Sequence, residues 1–165
     1  MRPVGKIVPL SKETLQSAMK LVDICFPVKM EHENTDLLQA SLGMKDISLV
    51  DKNGVYIKYW VVLKGKDVIG LVGLFGERRK VKKEYWLDYF CVHPSMRGKG
   101  IGTKLLNFAI LKARKEDKKY LKLYTAEGLD EAAAQHLYEE KGFEVTKKRR
   151  DKNFPYMLIY YRLFL

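Results

Sequence analysis

The chain has 165 residues, 47% hydrophobic and 12% aromatic, which suits one domain with a substantial core. No apolar run reaches the roughly 18 residues of a membrane helix and residues 1–6 lack a signal-peptide core, so a cytoplasmic protein without membrane contact is expected. The net charge of +11 favours an anionic ligand or acceptor, whereas nucleic acid is not the expected partner, because no base-stacking motif accompanies the basic stretches at 78–83, 112–119 and 147–152.

Residues 6–10 predict a short first strand, with Pro9 placing it at an edge. Ser11 is an N-cap for a helix through Leu15, Ala18, Met19, Val22 and Cys25, ended by Phe26-Pro27. A second helix is expected near 33–42, with Leu37, Leu38 and Leu42 as its apolar face and Gly43 as its stop. After a turn at Asp51-Lys52-Asn53-Gly54, residues 55–63 and 68–76 read as two strands of a hairpin closed by Lys64-Gly65-Lys66-Asp67. Residues 77–83 then form a charged connection.

The most informative stretch follows. Residues 85–92 are aromatic and β-branched and read as a buried strand, which Pro94 stops because it has no N–H for the ladder. Helical spacing resumes through Ile101, Leu105, Phe108 and Ala109, so a helix starts near Gly100. Between them lies Arg97-Gly98-Lys99-Gly100-Ile101-Gly102. Small residues let the backbone approach a ligand, and the first N–H groups of a helix lack internal partners. With the helix dipole and two cations, this turn suits a phosphate chain. It is not a Rossmann fingerprint, since the third glycine would fall at Thr103, nor a Walker A loop, since Gly102-Thr103-Lys104 has the wrong order.

The chain closes with an alternating strand at 120–126, a helix from Glu131 to Lys141 capped by Asp130 and stopped by Gly142, a strand opening at Phe143, and a last strand at 155–163. The strand–helix–strand unit around the glycine-rich turn implies a parallel pair, while the earlier strands imply an antiparallel half-sheet. Cys25 and Cys91 form no Cys-x-x-Cys and no ligand spacing with histidine, so reduced thiols and no metal are expected.

Arg97-x-x-Gly100-x-Gly102 directly after Val92-His93-Pro94 resembles the acyl-CoA pyrophosphate loop of the GNAT superfamily of N-acetyltransferases. The stretch Ala134-Gln135-His136-Leu137-Tyr138-Glu139-Glu140-Lys141-Gly142-Phe143 resembles a second GNAT motif, on the helix after the fifth strand. The resemblance covers roughly residues 68–163 and implies a single α/β domain over 1–165, with a mixed α+β sheet of about seven strands, about four helices and a central splay.

It further implies transfer of an acetyl group from acetyl-CoA directly to a primary amine, on a small molecule or a protein. Arg97, Gly98, Lys99, Gly100, Ile101, Gly102 and Thr103 would hold the pyrophosphate, and backbone N–H groups from Phe90, Cys91 and Val92 the acetyl carbonyl and pantetheine. Ala134 and Glu131 would adjoin the pantetheine arm, Glu131 standing where many relatives carry asparagine. Tyr138 matches the tyrosine that protonates the CoA thiolate in many members.

An amine must shed a proton before it attacks, and Asp88 and Glu84, evenly spaced on the strand before the loop, are the candidate bases. Both share a face unless a bulge intervenes. Cys91 lacks the partners of a covalent nucleophile, and His93 and His136 read as surface residues. The alternatives are an acyl-CoA-sensing module without turnover, and an acetyltransferase of protein N-termini or lysines. The aromatic last strand allows a monomer or a homodimer paired along it.

Overall fold

The computed structural model describes residues 5–26, 36–128, 132–152 and 155–165. Chain order is β1 (Ile7–Pro9), α1 (Lys12–Cys25), α2 (Asp36–Ser41), α3 (Ile47–Val50), β2 (Gly54–Lys64), β3 (Asp67–Glu77), β4 (Glu84–Val92), α4 (Ile101–Lys115), β5 (Tyr120–Ala126), α5 (Ala132–Glu140), β6 (Glu144–Arg150) and β7 (Met157–Phe164). The seven strands form one sheet in the order β1-β2-β3-β4-β5-β7-β6. Neighbours are antiparallel except β4 and β5, which run parallel on either side of α4.

The expected elements are present, with β1 at the edge where Pro9 put it. Ser11 caps α1 through a reciprocal box: its side chain accepts from the Thr14 amide, and its own amide donates to Thr14 Oγ1 at 3.0 Å. The expected four helices become five among the described residues. The addition is α3, a single turn capped by Asp46, whose Oδ1 accepts from the Ser48 amide at 2.9 Å. A four-residue helix carries too little periodicity to be read from sequence. The proposed Asp130 cap, Glu131 and residues 33–35 of the second helix lie outside the described residues.

Each face of the sheet has its own core. Leu105, Leu106, Ala109 and Ala113 of α4, with Tyr138 of α5, pack on Leu74, Tyr85, Leu121, Leu123 and Tyr161. On the opposite face, Leu15, Ala18, Leu21 and Val22 of α1 and Leu37 and Leu38 of α2 cover Ile57, Tyr59, Val61 and Leu71. Burying these side chains holds α4 and α1 rigidly at the carboxyl end of β4, where the chain leaves the sheet.

Candidate active site

The centre of the site is an irregularity in β4. Leu71 pairs with Cys91 and Gly73 with Asp88, so two steps along β3 face three along β4. Tyr89, within this bulge, has φ of 41°, an uncommon conformation for a bulky residue. The extra residue reverses the pleat. Before it, Trp86 packs with the α1 core and Leu87 with the α4 core; after it, Cys91 lies on the α1 side and Phe90 and Val92 on the α4 side.

β4 also parts from β5. Their pairing spans only Glu84–Tyr120, Tyr85–Leu121 and Trp86–Lys122, although β4 continues to Val92 and β5 to Ala126. The backbone groups of 88–92 that face β5 therefore have no strand partner. Such groups need hydrogen bonds from something else.

A cavity of about 580 Å³ opens at this splayed end. Its wall includes Phe90, Cys91 and Val92 from β4, the loop residues Arg97, Gly98 and Gly100, and Ile101, Gly102 and Thr103 from the first turn of α4. Gly98 and Gly100 have φ of 73° and 82°, where glycine avoids the strain of a side chain. Gly100 is the N-cap of α4 and supplies no side-chain cap, so the leading amides of the helix remain available. A Cβ on Gly102 would meet Phe90, Val92 and Leu137 at 3.7–3.8 Å, which marks this glycine as the floor between β4 and α5. Arg97 Nε donates to the Val92 carbonyl at 3.1 Å, and this bond orients its cation over the loop.

Ten of the twelve sequence-proposed cofactor residues, Ala134 included, line this cavity. Lys99 does not; its ammonium contacts Met96 Sδ at 3.8 Å. Glu131 lies outside the described residues. His93 is a structural cap, its Nδ1 accepting from the Ser95 amide at 3.2 Å. His136 is exposed as expected but also borders the cavity, with Nε2 3.1 Å from Glu140.

Cys25, at the end of α1, enters the same wall and donates to the Val92 carbonyl at 3.5 Å. Its contact with Cys91, aided by the nearby Arg97 charge, pushes the Cys25 thiol down to about 7, while the same contact and burial push the Cys91 thiol up against the pull of Arg97. Both cysteines are free thiols.

The three proposed catalytic side chains fall in different places. Tyr138 is only 5% exposed, and its ring packs on Phe90, Phe143 and Tyr161 at centroid distances of 5.9, 5.8 and 5.7 Å. It thus stands directly behind Phe90 of the cavity wall. Asp88 sits at the bulge, partly buried, and accepts a hydrogen bond from the Tyr59 hydroxyl. Burial pushes its carboxyl up to about 6, against the opposing pull of the Tyr59 bond.

Glu84 does share the Asp88 face, because the bulge lies beyond both, but it stands at the far end of β4. There it forms a buried ion pair with Lys122 at 2.8 Å. None of the three, Glu84, Asp88 or Tyr138, is among the residues that line the cavity.

Two residues missed in the sequence complete the Asp88 arrangement. Gly73 pairs with Tyr59 on one side and Asp88 on the other. A Cβ there would come within 2.3 Å of the Tyr59 ring, so only glycine lets that ring cross β3 to reach Asp88. A glycine inside a strand was the available signal.

Residues 56–145 match the acetyltransferase (GNAT) domain family. No curated protein sequence matches the chain. Among solved structures, the ribosomal-protein-S18-alanine N-acetyltransferase of Escherichia coli superposes with a TM-score of 0.72 at 18% identity, covering 96% of this chain and 92% of that one. NAA60 of Arabidopsis thaliana, in complex with a bisubstrate analogue, gives 0.74 at 14% identity over 96% and 97%. A GNAT family acetyltransferase of Elizabethkingia anophelis with acetyl-CoA bound gives 0.62 at 20% identity over 97% of each chain.

Proposed function

The chain belongs to the GNAT acetyltransferase family and is an acyl-CoA-dependent acetyltransferase, and from that premise we propose that it moves the acetyl group of acetyl-CoA directly to a primary amine whose proton Asp88 removes. The observation that carries the reading is the junction of two features at one bulge. On one side lies a cavity floored by glycines at an uncapped helix N-terminus; on the other lies a carboxylate poised near neutrality.

The residues fit an acyl-CoA. Arg97 and the leading amides of α4 would neutralise the pyrophosphate, and Gly98, Gly100 and Gly102 give its oxygens access to the backbone. Phe90, Val92, Leu137 and Ala134 supply an apolar trough for the pantetheine arm. Unpaired amides of the bulged strand would stabilise charge developing on the acetyl oxygen.

Proton transfers follow from two side chains. Asp88 is ionised above about pH 6, so at neutral pH it accepts the amine proton directly or through water. Tyr138, behind Phe90, donates a proton to the departing thiolate. Glu84, held by Lys122 away from the cavity, is not part of this path.

Calorimetric titration with acetyl-CoA, then a thiol-release screen over amines and peptides, tests the reading. Binding with amine-dependent thiol release is expected. Binding without release from any amine would make the domain an acyl-CoA sensor, and no binding would refute the loop assignment.

A further inference from the structure

Helices cover only part of the sheet. On the α1 side, α1, α2 and α3 pack on β2, β3 and β4. Beyond β4 on that side, the faces of β5, β7 and β6 carry no helix among the described residues. Leu121, Leu123, Ile159, Tyr161 and Leu163 point into the α4 core, so Tyr120, Lys122, Tyr124, Tyr160, Arg162 and Phe164 stand on the other face, with Leu158 buried at its end. Tyr124 and Phe164 are 38% and 57% exposed.

This face is a connected array of rings and cations. Trp86 of β4 meets Tyr160 edge-on at 6.3 Å, and Tyr124 meets Tyr160 at 5.7 Å. Lys147 and Arg149 of β6 lie over the Tyr160 ring at 4.5 and 5.7 Å. Arg162 lies over both Tyr120 and Phe164 at 5.1 Å. Carboxylates are few: Glu84 is held by Lys122, Asp151 stands 3.9 Å from Arg149, and Glu144 is the register partner of Arg162. Lys147 forms no ion pair with a carboxylate among the described residues, and Arg162 faces only Glu144 across the strands.

We propose that the acceptor amine belongs to an acidic polypeptide, laid from Asp88 across Tyr124 and Tyr160 so that its carboxylates meet Lys147, Arg149 and Arg162. The proposal rests on the acetyltransferase reading and adds its substrate class. Charge selects the occupant, since a cationic face with spare cations attracts an acidic chain. Single-stranded nucleic acid also seeks basic, aromatic surfaces, but it needs open ring faces for its bases to stack. Here the protein's own cations cap the rings of Tyr160, Tyr120 and Phe164.

Distance sets where the acidic residues must fall. From β4 to β6 is three strand spacings, about 14 Å, and an extended peptide advances about 3.3 Å per residue. The carboxylates should therefore follow the acetylated amine by about four residues, slightly more across the splay.

The test compares kcat/KM by thiol release for three peptides with the same two N-terminal alanines, followed by glutamates, glutamines or lysines. The enzymes are the full chain and its K147E/R149E variant, with the milder K147Q/R149Q as a second variant. Lys147 and Arg149 lie on a fully exposed edge strand, so both variants should fold and keep their acetyl-CoA affinity by calorimetry. The expected result is at least about a tenfold preference for the glutamate peptide, lost in K147Q/R149Q and inverted in K147E/R149E.

Equal rates for the three peptides, with acetyl-CoA bound and released as CoA, would overturn this inference while leaving the acetyltransferase reading intact. Failure to bind acetyl-CoA would instead remove the reading beneath it. Inhibition by a short single-stranded RNA that K147E/R149E abolishes, without any peptide preference, would overturn the inference in favour of nucleic acid.

Discussion

Replacing Asp88 by asparagine separates a catalytic carboxylate from a structural one, because the two roles move stability in opposite directions. Burial raises the Asp88 carboxyl from 3.8 to about 6, a shift of ~2 units. At ~1.36 kcal/mol per unit this corresponds to ~3 kcal/mol. Asp88 is only partly buried, and solvent screening reduces the figure to ~1–2 kcal/mol.

The sign follows from proton binding. Between about pH 4 and 6 the folded chain holds the Asp88 proton more tightly than the unfolded chain, so stability falls as pH rises through that window. Above it the ionised carboxylate is a constant burden, which asparagine removes while its amide oxygen still accepts from Tyr59. Thermal scans should show Asp88→Asn raising Tm by roughly 2–8 °C at pH 8 and by little at pH 3. In the same protein kcat/KM should drop by about 10²–10⁴, with acetyl-CoA affinity retained and the acid limb near pH 6 gone. An asparagine variant that keeps the acid limb would refute Asp88 as the base, and one less stable at pH 8 would refute the burden assigned to its buried charge.

Three further variants probe the surrounding geometry. Tyr59→Phe removes the bond that holds the Asp88 carboxylate ionised, so the acid limb should move to higher pH, leaving kcat/KM at pH 6 about tenfold below wild type. An unmoved limb would mean that Tyr59 does not tune the base. Gly102→Val fits its backbone but projects methyl groups between Phe90, Val92 and Leu137; calorimetry should show acetyl-CoA affinity falling about tenfold or more, with stability within about 1 kcal/mol. Tyr138→Phe keeps the ring packing on Phe90, Phe143 and Tyr161, so it should bind acetyl-CoA normally yet turn over about 10²-fold more slowly. Full turnover in a folded Tyr138→Phe would exclude it as the acid.

What the sequence made legible is what local chemistry dictates. Pro94 ended β4, the glycines of 97–102 announced a tight turn into a helix N-terminus, and alternation in 120–126 gave β5. The cavity wall was legible for the same reason: the loop and the first turn of α4 are contiguous, so their residues share one place in any fold. Contacts between distant elements were not legible. Cys25 joins the wall only because α1 ends beside Val92, and Glu84, equivalent to Asp88 by spacing, is held by Lys122 of a different strand. The strand β7 inserts between β5 and β6, a long-range pairing that no turn signal encodes.

The bulge explains why these pieces act together. Without the extra residue at Tyr89, β4 would alternate regularly and residues after Asp88 would keep the opposite facing, exchanging the α1-side and α4-side positions of Cys91 and Val92. Phe90 would then leave Tyr138, and the carboxylate would lose its fixed relation to the cavity wall. The glycine opposite, Gly73, belongs to the same device, since it allows Tyr59 to cross β3 to the residue just before the bulge. Gly73→Ala is therefore more than a packing change. Its methyl group would displace the Tyr59 ring, release the hydroxyl from Asp88, and reproduce the upward shift of the acid limb expected for Tyr59→Phe. A Gly73→Ala enzyme with the wild-type pH profile would show that the three residues do not form one unit.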